Sequence, residues 1–249
     1  MDKVRWIETF FNCNFFTILK QGCEDTSKGR SGVVIEKYFL TGVTPAFRAG
    51  ISPLTATSIV SHIRGLHGIC GFTEEEVKAL TKHYLAKDDQ AVVPILHALK
   101  RLYNGYCFWT SGGDESEMDQ TRLYSPHLVF HYLSNFKTEG FVAKPEESTA
   151  VHTTTILRSI SDIGEFSVSD LMEIVVTGSV KTSIKAEFGY SDLQNVGKDR
   201  EYTWSLLFYL GILTLGTNGS LRIPNDVIKL DVRNLCNFYS TANGRGSRC

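Results

Sequence analysis

Thr41, Gly42, Thr44 and Arg48 are the residues whose types and spacing best suit chemistry. The first three lie in the run FLTGVTPAF at residues 39–47, the pattern of a buried strand that ends in a small, polar, backbone-rich turn, and Arg48 follows it. Two hydroxyls, a glycine that admits close backbone approach and a guanidinium a few residues on would suit a phosphate or a carboxylate. The plainer reading of the same residues is a strand followed by a Thr-Gly-Val-Thr-Pro turn.

Other clusters offer less. A phosphate loop needs G-x-x-x-x-G-K-[ST], because its second glycine lets the backbone cradle the phosphates and its lysine reaches the terminal ones. The nearest approach is TGSVKTS at 177–183, where Lys181 and Thr182 are in sequence but Val180 holds the glycine position, and a hairpin turn accounts for it better. His127 and His131 lie four apart on a predicted helix and could share a metal, yet no third ligand stands at a recognisable spacing. Asp114, Glu115, Glu117 and Asp119 lack the spacing of a calcium loop and read as a solvated insertion. There is no G-x-S-x-G elbow to order a covalent catalyst. Cys13, Cys23, Cys70, Cys107, Cys236 and Cys249 contain no C-x-x-C pair, so reduced thiols are expected rather than a zinc knuckle or a disulfide framework.

The elements that must carry these groups follow from periodicity. Val4, Ile7, Phe11, Phe15, Ile18 and Leu19 are spaced by threes and fours and predict a helix over 3–20. A polar loop at 21–31 and a β-branched, aromatic strand at 33–43 follow. Ser52 and Pro53 open a predicted helix over 53–64. In GFTEEEVKAL, Thr73 and Glu76 form a capping box, and a helix is expected over 74–85. Further helices are predicted over 91–101 and from Ser125 and Pro126, with the aromatic loop YNGYCFW between them. SVSDLMEIV reads as a helix, and the stretch after it as hairpin-like. The last unit is a helix ending near Gly211, two short strands around Thr-Asn-Gly-Ser at 217–220, and a helix after Pro224. The tail from Ser240 reads as disordered.

With 249 residues the chain is long enough for one large or two small domains. A formal net charge of -1 excludes a global basic field for nucleic acid, which leaves only a local site around Arg200, Arg222, Lys229 and Arg233, offset by Asp226 and Asp231. No apolar run reaches the roughly 18 residues that span a bilayer, and the charged start is unlike a signal peptide; no membrane role and an intracellular protein, cytoplasmic or nuclear, are expected.

FLTGVTPAF, GFTEEEVKAL, LYNGYCF with LYSPHLVFHYL, and LLFYLGILTLGTNGSLRIPNDVI resemble, in content and order, the later part of the AAA-ATPase-like family, widespread in bacteria and expanded in fungi. The resemblance implies an α/β, mainly helical fold: the remnant of a parallel P-loop-type sheet over 1–70, a helical lid over 71–160, a winged-helix-like lobe over 161–236 and a disordered tail over 237–249. It makes Thr41 a nucleotide-sensing residue, with Gly42 and Thr44 shaping the turn and Arg48 facing phosphate. ATP and magnesium are the family's cofactors. The phosphate loop and the acidic magnesium strand should precede residue 3, so a truncated or degenerate member is expected, binding no cofactor by itself and hydrolysing no ATP. The alternatives are a protein-interaction module and a winged-helix nucleic-acid binder. An exposed aromatic face on helix 3–20, with Trp6, Phe10, Phe11, Phe15 and Phe16, would favour protein partners or self-association.

Overall fold

A computed structural model describes residues 16–27, 35, 37–42, 59–85, 87–109, 121–139, 168–185, 188 and 190–244. Among them the chain is mainly helical, with seven α-helices and one small antiparallel sheet. The predicted acidic insertion and most of the predicted helix 3–20 lie outside the described residues. What is described of that helix is α1, Phe16–Ser27, which runs on through residues expected to form a polar loop. Polarity did not exclude helix there, because a helix can carry polar residues on its solvent side.

The expected strand over 33–43 is not formed across its described residues. Ile35 and residues 37–42 have no regular secondary structure, and Phe39 and Leu40 are exposed rather than buried. The Ile35 amide donates to the Gly22 carbonyl of α1 at 3.1 Å, and the Ile35 side chain rests where a side chain at Gly22 would stand. β-Propensity expresses packing against a sheet neighbour, and here the neighbour is a helix. The parallel sheet expected in this region is accordingly not seen among the described residues.

The helix expected over 53–64 also differs where it is described. Val60–His62 is a single 3-10 turn, ended by Ile63 in extended conformation, and His67–Cys70 is a second. Gly65 and Gly68, with β-branched Ile59, Val60 and Ile63 around them, weaken helix propagation.

Between residues 71 and 139 the described helices match the expected ones closely. α2, Glu74–Leu85, starts at the expected capping box: the Glu76 amide donates to Thr73 Oγ1 at 3.2 Å, and the Thr73 amide to Glu76 Oε2 at 2.8 Å. α3, Asp89–Tyr103, is capped by Asp88, whose carboxylate accepts from the Ala91 amide at 2.8 Å. α4, Pro126–Glu139, begins at the expected proline. These three helices share a core of Val77, Ile95, Leu99, Leu102, Tyr103, Val129, Tyr132 and Leu133, to which Tyr124 and Val227 contribute.

One group in this bundle is out of keeping with its surroundings. The Tyr132 hydroxyl is buried without a hydrogen-bond partner, and burial pushes its ionisation up to about 12. Tyr132→Phe should therefore stabilise the chain by about 1 kcal/mol, since the stranded hydroxyl loses its desolvation cost while the ring packing on Tyr103 stays. A urea midpoint that does not rise would contradict this.

The second core belongs to the C-terminal lobe. α5, Val168–Thr177, leads through Gly178 at φ +81° into β1, Ser179–Lys181. A 3-10 helix at Tyr190–Asn195 precedes α6, Arg200–Tyr209, capped by Asp199. β2, Thr214–Leu215, and β3, Ser220–Arg222, form the expected hairpin, with Leu215 opposite Leu221, and α7, Asp226–Gly244, closes the unit. TGSVKTS is not a hairpin: Ser179–Lys181 pairs with Ser220–Arg222, giving the order β1-β3-β2. A distant partner, invisible to local turn chemistry, won that pairing. α7 also carries residues 237–244 of the expected disordered tail in helix.

Trp204, Leu207, Phe208, Leu213, Leu221 and Val232 are the centre of this core. Leu171 and Ile174 face it from α5, and Cys107 and Trp109 reach it from the aromatic loop.

Candidate functional site

Thr41 and Gly42 are exposed on an irregular segment, while Thr44 and Arg48 lie outside the described residues. His127 and His131 sit one turn apart on α4, and His131 Nε2 meets Asn135 Nδ2 at 3.5 Å. Among the described residues no group of three or more His, Cys, Asp or Glu is arranged to hold a metal ion.

The Arg200 guanidinium pairs with Glu173 at 2.5 Å and lies over Trp204, and Arg101 meets Asp226 at 3.7 Å. Of the cations expected to draw a nucleic-acid backbone, Arg200 is thus paired with a carboxylate.

What the structure does bring together are the segments carrying LYNGYCF, TRLYSP and NGSLRIPND. They meet in a buried polar seam between the helical bundle and the C-terminal lobe. Asn225 Nδ2 donates to the Asn104 carbonyl at 3.1 Å, and Asn225 Oδ1 accepts from the Ile228 amide at 3.2 Å, capping α7. The Tyr106 hydroxyl bonds to Asn225, and its ionisation is nonetheless pushed up to about 12, chiefly by burial. Tyr124 bonds to the Asn104 side chain. Arg122 Nη1 donates to the carbonyls of Gly105 at 2.9 Å and Leu215 at 3.4 Å. Thr214 Oγ1 accepts from the Cys107 amide at 2.7 Å, and the Leu215 amide donates to the Cys107 carbonyl. Residues 104–109 thus lie along the β2 edge and supply partners that a two-residue strand would otherwise lack.

A strap formed by residues 59–72 crosses the same region. His62 stacks on Tyr209 with ring centroids 6.0 Å apart, and the Arg64 guanidinium lies 5.4 Å from the centre of the Trp109 ring. Phe72 and Tyr124 exchange both backbone hydrogen bonds, at 3.1 and 2.8 Å. His67 is buried with Nδ1 unpartnered, and desolvation lowers its pKa. Cys70 is exposed, although partial desolvation raises its thiol pKa, which disfavours the thiolate that a nucleophile needs.

The arrangement holds and orients; it presents no nucleophile beside a base. Asn225 had a local signal, since a Pro-Asn-Asp run before an amphipathic stretch marks a helix start. Asn104, Arg122 and Thr214 had none, because their partners are from 17 to 121 residues away in sequence. Among the described residues no helix is long and apolar enough to cross a membrane. No protein-family model matches the chain, nor does any curated protein or solved structure.

Proposed function

We propose that the chain supplies the lid and winged-helix-like lobe of an AAA-ATPase-like protein and works by holding and transmitting position, with the phosphate loop and magnesium strand encoded upstream of residue 1. The observation that carries this reading is the order of elements from residue 71 onward. A three-helix bundle is followed by helix, strand, short helix, helix and hairpin, in the sheet order β1-β3-β2. That order is compatible with a winged-helix-like lobe behind a helical lid.

Within the same reading, the lobe meets protein rather than nucleic acid. The helix before the hairpin, α6, would be the one to enter a major groove, yet Thr203 to Phe208 are all buried. A helix that reads base edges must present polar side chains outward. The exposed side chains Ile63, Leu66 and Ile69 on the strap favour a protein surface instead.

Two measurements test the proposal. The coding locus should continue in frame upstream of Met1 into a phosphate loop within about 150 residues, the length of one domain; an in-frame stop without such a loop refutes it. The purified chain should release no phosphate from ATP, because phosphoryl transfer depends on the loop lysine and the bound magnesium. Steady release above a Thr41→Ala, Arg48→Ala control would show a catalytic site that the proposal lacks.

A further inference from the structure

We propose that the bundle and the C-terminal lobe turn as one rigid lever, and that the strap over residues 59–72 clamps its two halves together. The inference rests on the lid-and-lobe reading, but its geometry is read from this chain alone. Two bodies that move independently need an interface able to slide or part, whereas this seam is interlocked at three levels.

The first level is apolar. Val227 in the opening turn of α7 is buried in the bundle core, while its neighbour Ile228 is buried in the lobe core. One helix turn is therefore shared, and neither core can leave without opening the other. The second level is polar: Asn225, Asn104 and Arg122 satisfy backbone groups across the seam in specific directions. Buried groups of this kind lose their partners together if the surfaces shift, and each costs free energy when stranded. The third level is steric, since the Gly105 backbone lies directly against the Pro224 carbonyl.

The strap engages both halves. His62 rests against Tyr209 and Phe208 of α6, and Arg64 against Trp109 of the lobe core. Ten residues beyond His62, Phe72 is bridged to Tyr124 in the bundle. Consecutive backbone bonds, Ile63 to Val60, Leu66 to Ile63, Ile69 to Leu66 and Gly71 to Gly68, stiffen the path between these anchors. A displacement delivered there moves bundle and lobe together, as rigid-body transitions require.

Paired nitroxide labels on the full chain test both parts, in a background with Cys13, Cys23, Cys70 and Cys249 replaced by serine. Labels at Lys78→Cys on α2 and Val176→Cys on α5, both exposed positions, should give one narrow distance distribution. A broad or two-peaked distribution overturns the single lever. Labels at Leu66→Cys and Val176→Cys report the strap. Adding His62→Ala and Arg64→Ala should broaden this second distribution about twofold, as for a segment released into independent motion, and leave the first unchanged. An unchanged second distribution overturns the strap assignment. Neither result bears on whether a phosphate loop lies upstream, so the two proposals fail separately.

Discussion

Gly105→Ala is expected to destabilise the chain by about 4 kcal/mol, enough to unfold a marginally stable domain at ordinary temperature. Gly105 has φ +118°, a backbone conformation that residues with a Cβ rarely adopt. A Cβ added there would stand 2.0 Å from the Pro224 carbonyl oxygen and 2.8 Å from its carbon. Those are backbone atoms between β3 and α7, so the clash cannot be relieved by turning a side chain. Relief requires parting the seam, and with it the bonds from Arg122 to the Gly105 carbonyl and from Asn225 to the Asn104 carbonyl. Gly65→Ala is the matched control: nothing lies within 4 Å of its added Cβ and its φ is unexceptional. Urea unfolding followed by circular dichroism should separate the two variants clearly. A Gly105→Ala protein as stable as the control would refute the seam geometry.

Asn225→Ala should cost about 3 kcal/mol, by loss of a helix cap worth about 1 kcal/mol and the stranding of two buried groups. The cap is the bond from the Ile228 amide; the stranded groups are the Asn104 carbonyl and the Tyr106 hydroxyl. Asn225→Asp separates these contributions. An aspartate keeps the cap acceptor and suits a helix N-terminus, but it cannot donate to the Asn104 carbonyl. It should recover about 1 kcal/mol of the alanine loss and no more, a comparison made by the same urea titration. Full recovery with aspartate would mean that the bond across the seam contributes nothing.

The described helices of the bundle and the closing hairpin with its flanking helices were legible because their signals are local. Thr73 and Glu76 lie three apart and bond to each other; Pro126 stands at the start of the helix it favours; Thr-Asn-Gly-Ser turns the chain between the two strands of one hairpin. In each case the partners that fix the conformation lie within a few residues. The misread elements are those whose partners are distant. Ser179–Lys181 looked like part of a hairpin until Ser220–Arg222 took its edge, and the strand expected at 33–43 had the right residues but no described neighbouring strand to pair with.

The candidate site divides along the same line. Thr41 and Gly42 drew notice because small polar residues at the end of an apolar run are a visible pattern; both are exposed on an irregular segment, and Thr44 and Arg48 lie outside the described residues. The residues that organise the molecule, Asn104, Arg122, Thr214 and Asn225, are ordinary in composition and gain their roles only where two cores meet.

The sequence by itself determined the helices of the bundle, the closing hairpin and its flanking helices, and the absence of a phosphate-loop motif, because capping, turn chemistry and motif spacing act over a few residues. Only the tertiary structure decided that β1 joins β3, that α6 is buried rather than offered to a groove, and that a polar seam welds the bundle to the lobe. Those outcomes depend on which surfaces exclude water from one another, and that choice is made between segments about a hundred residues apart.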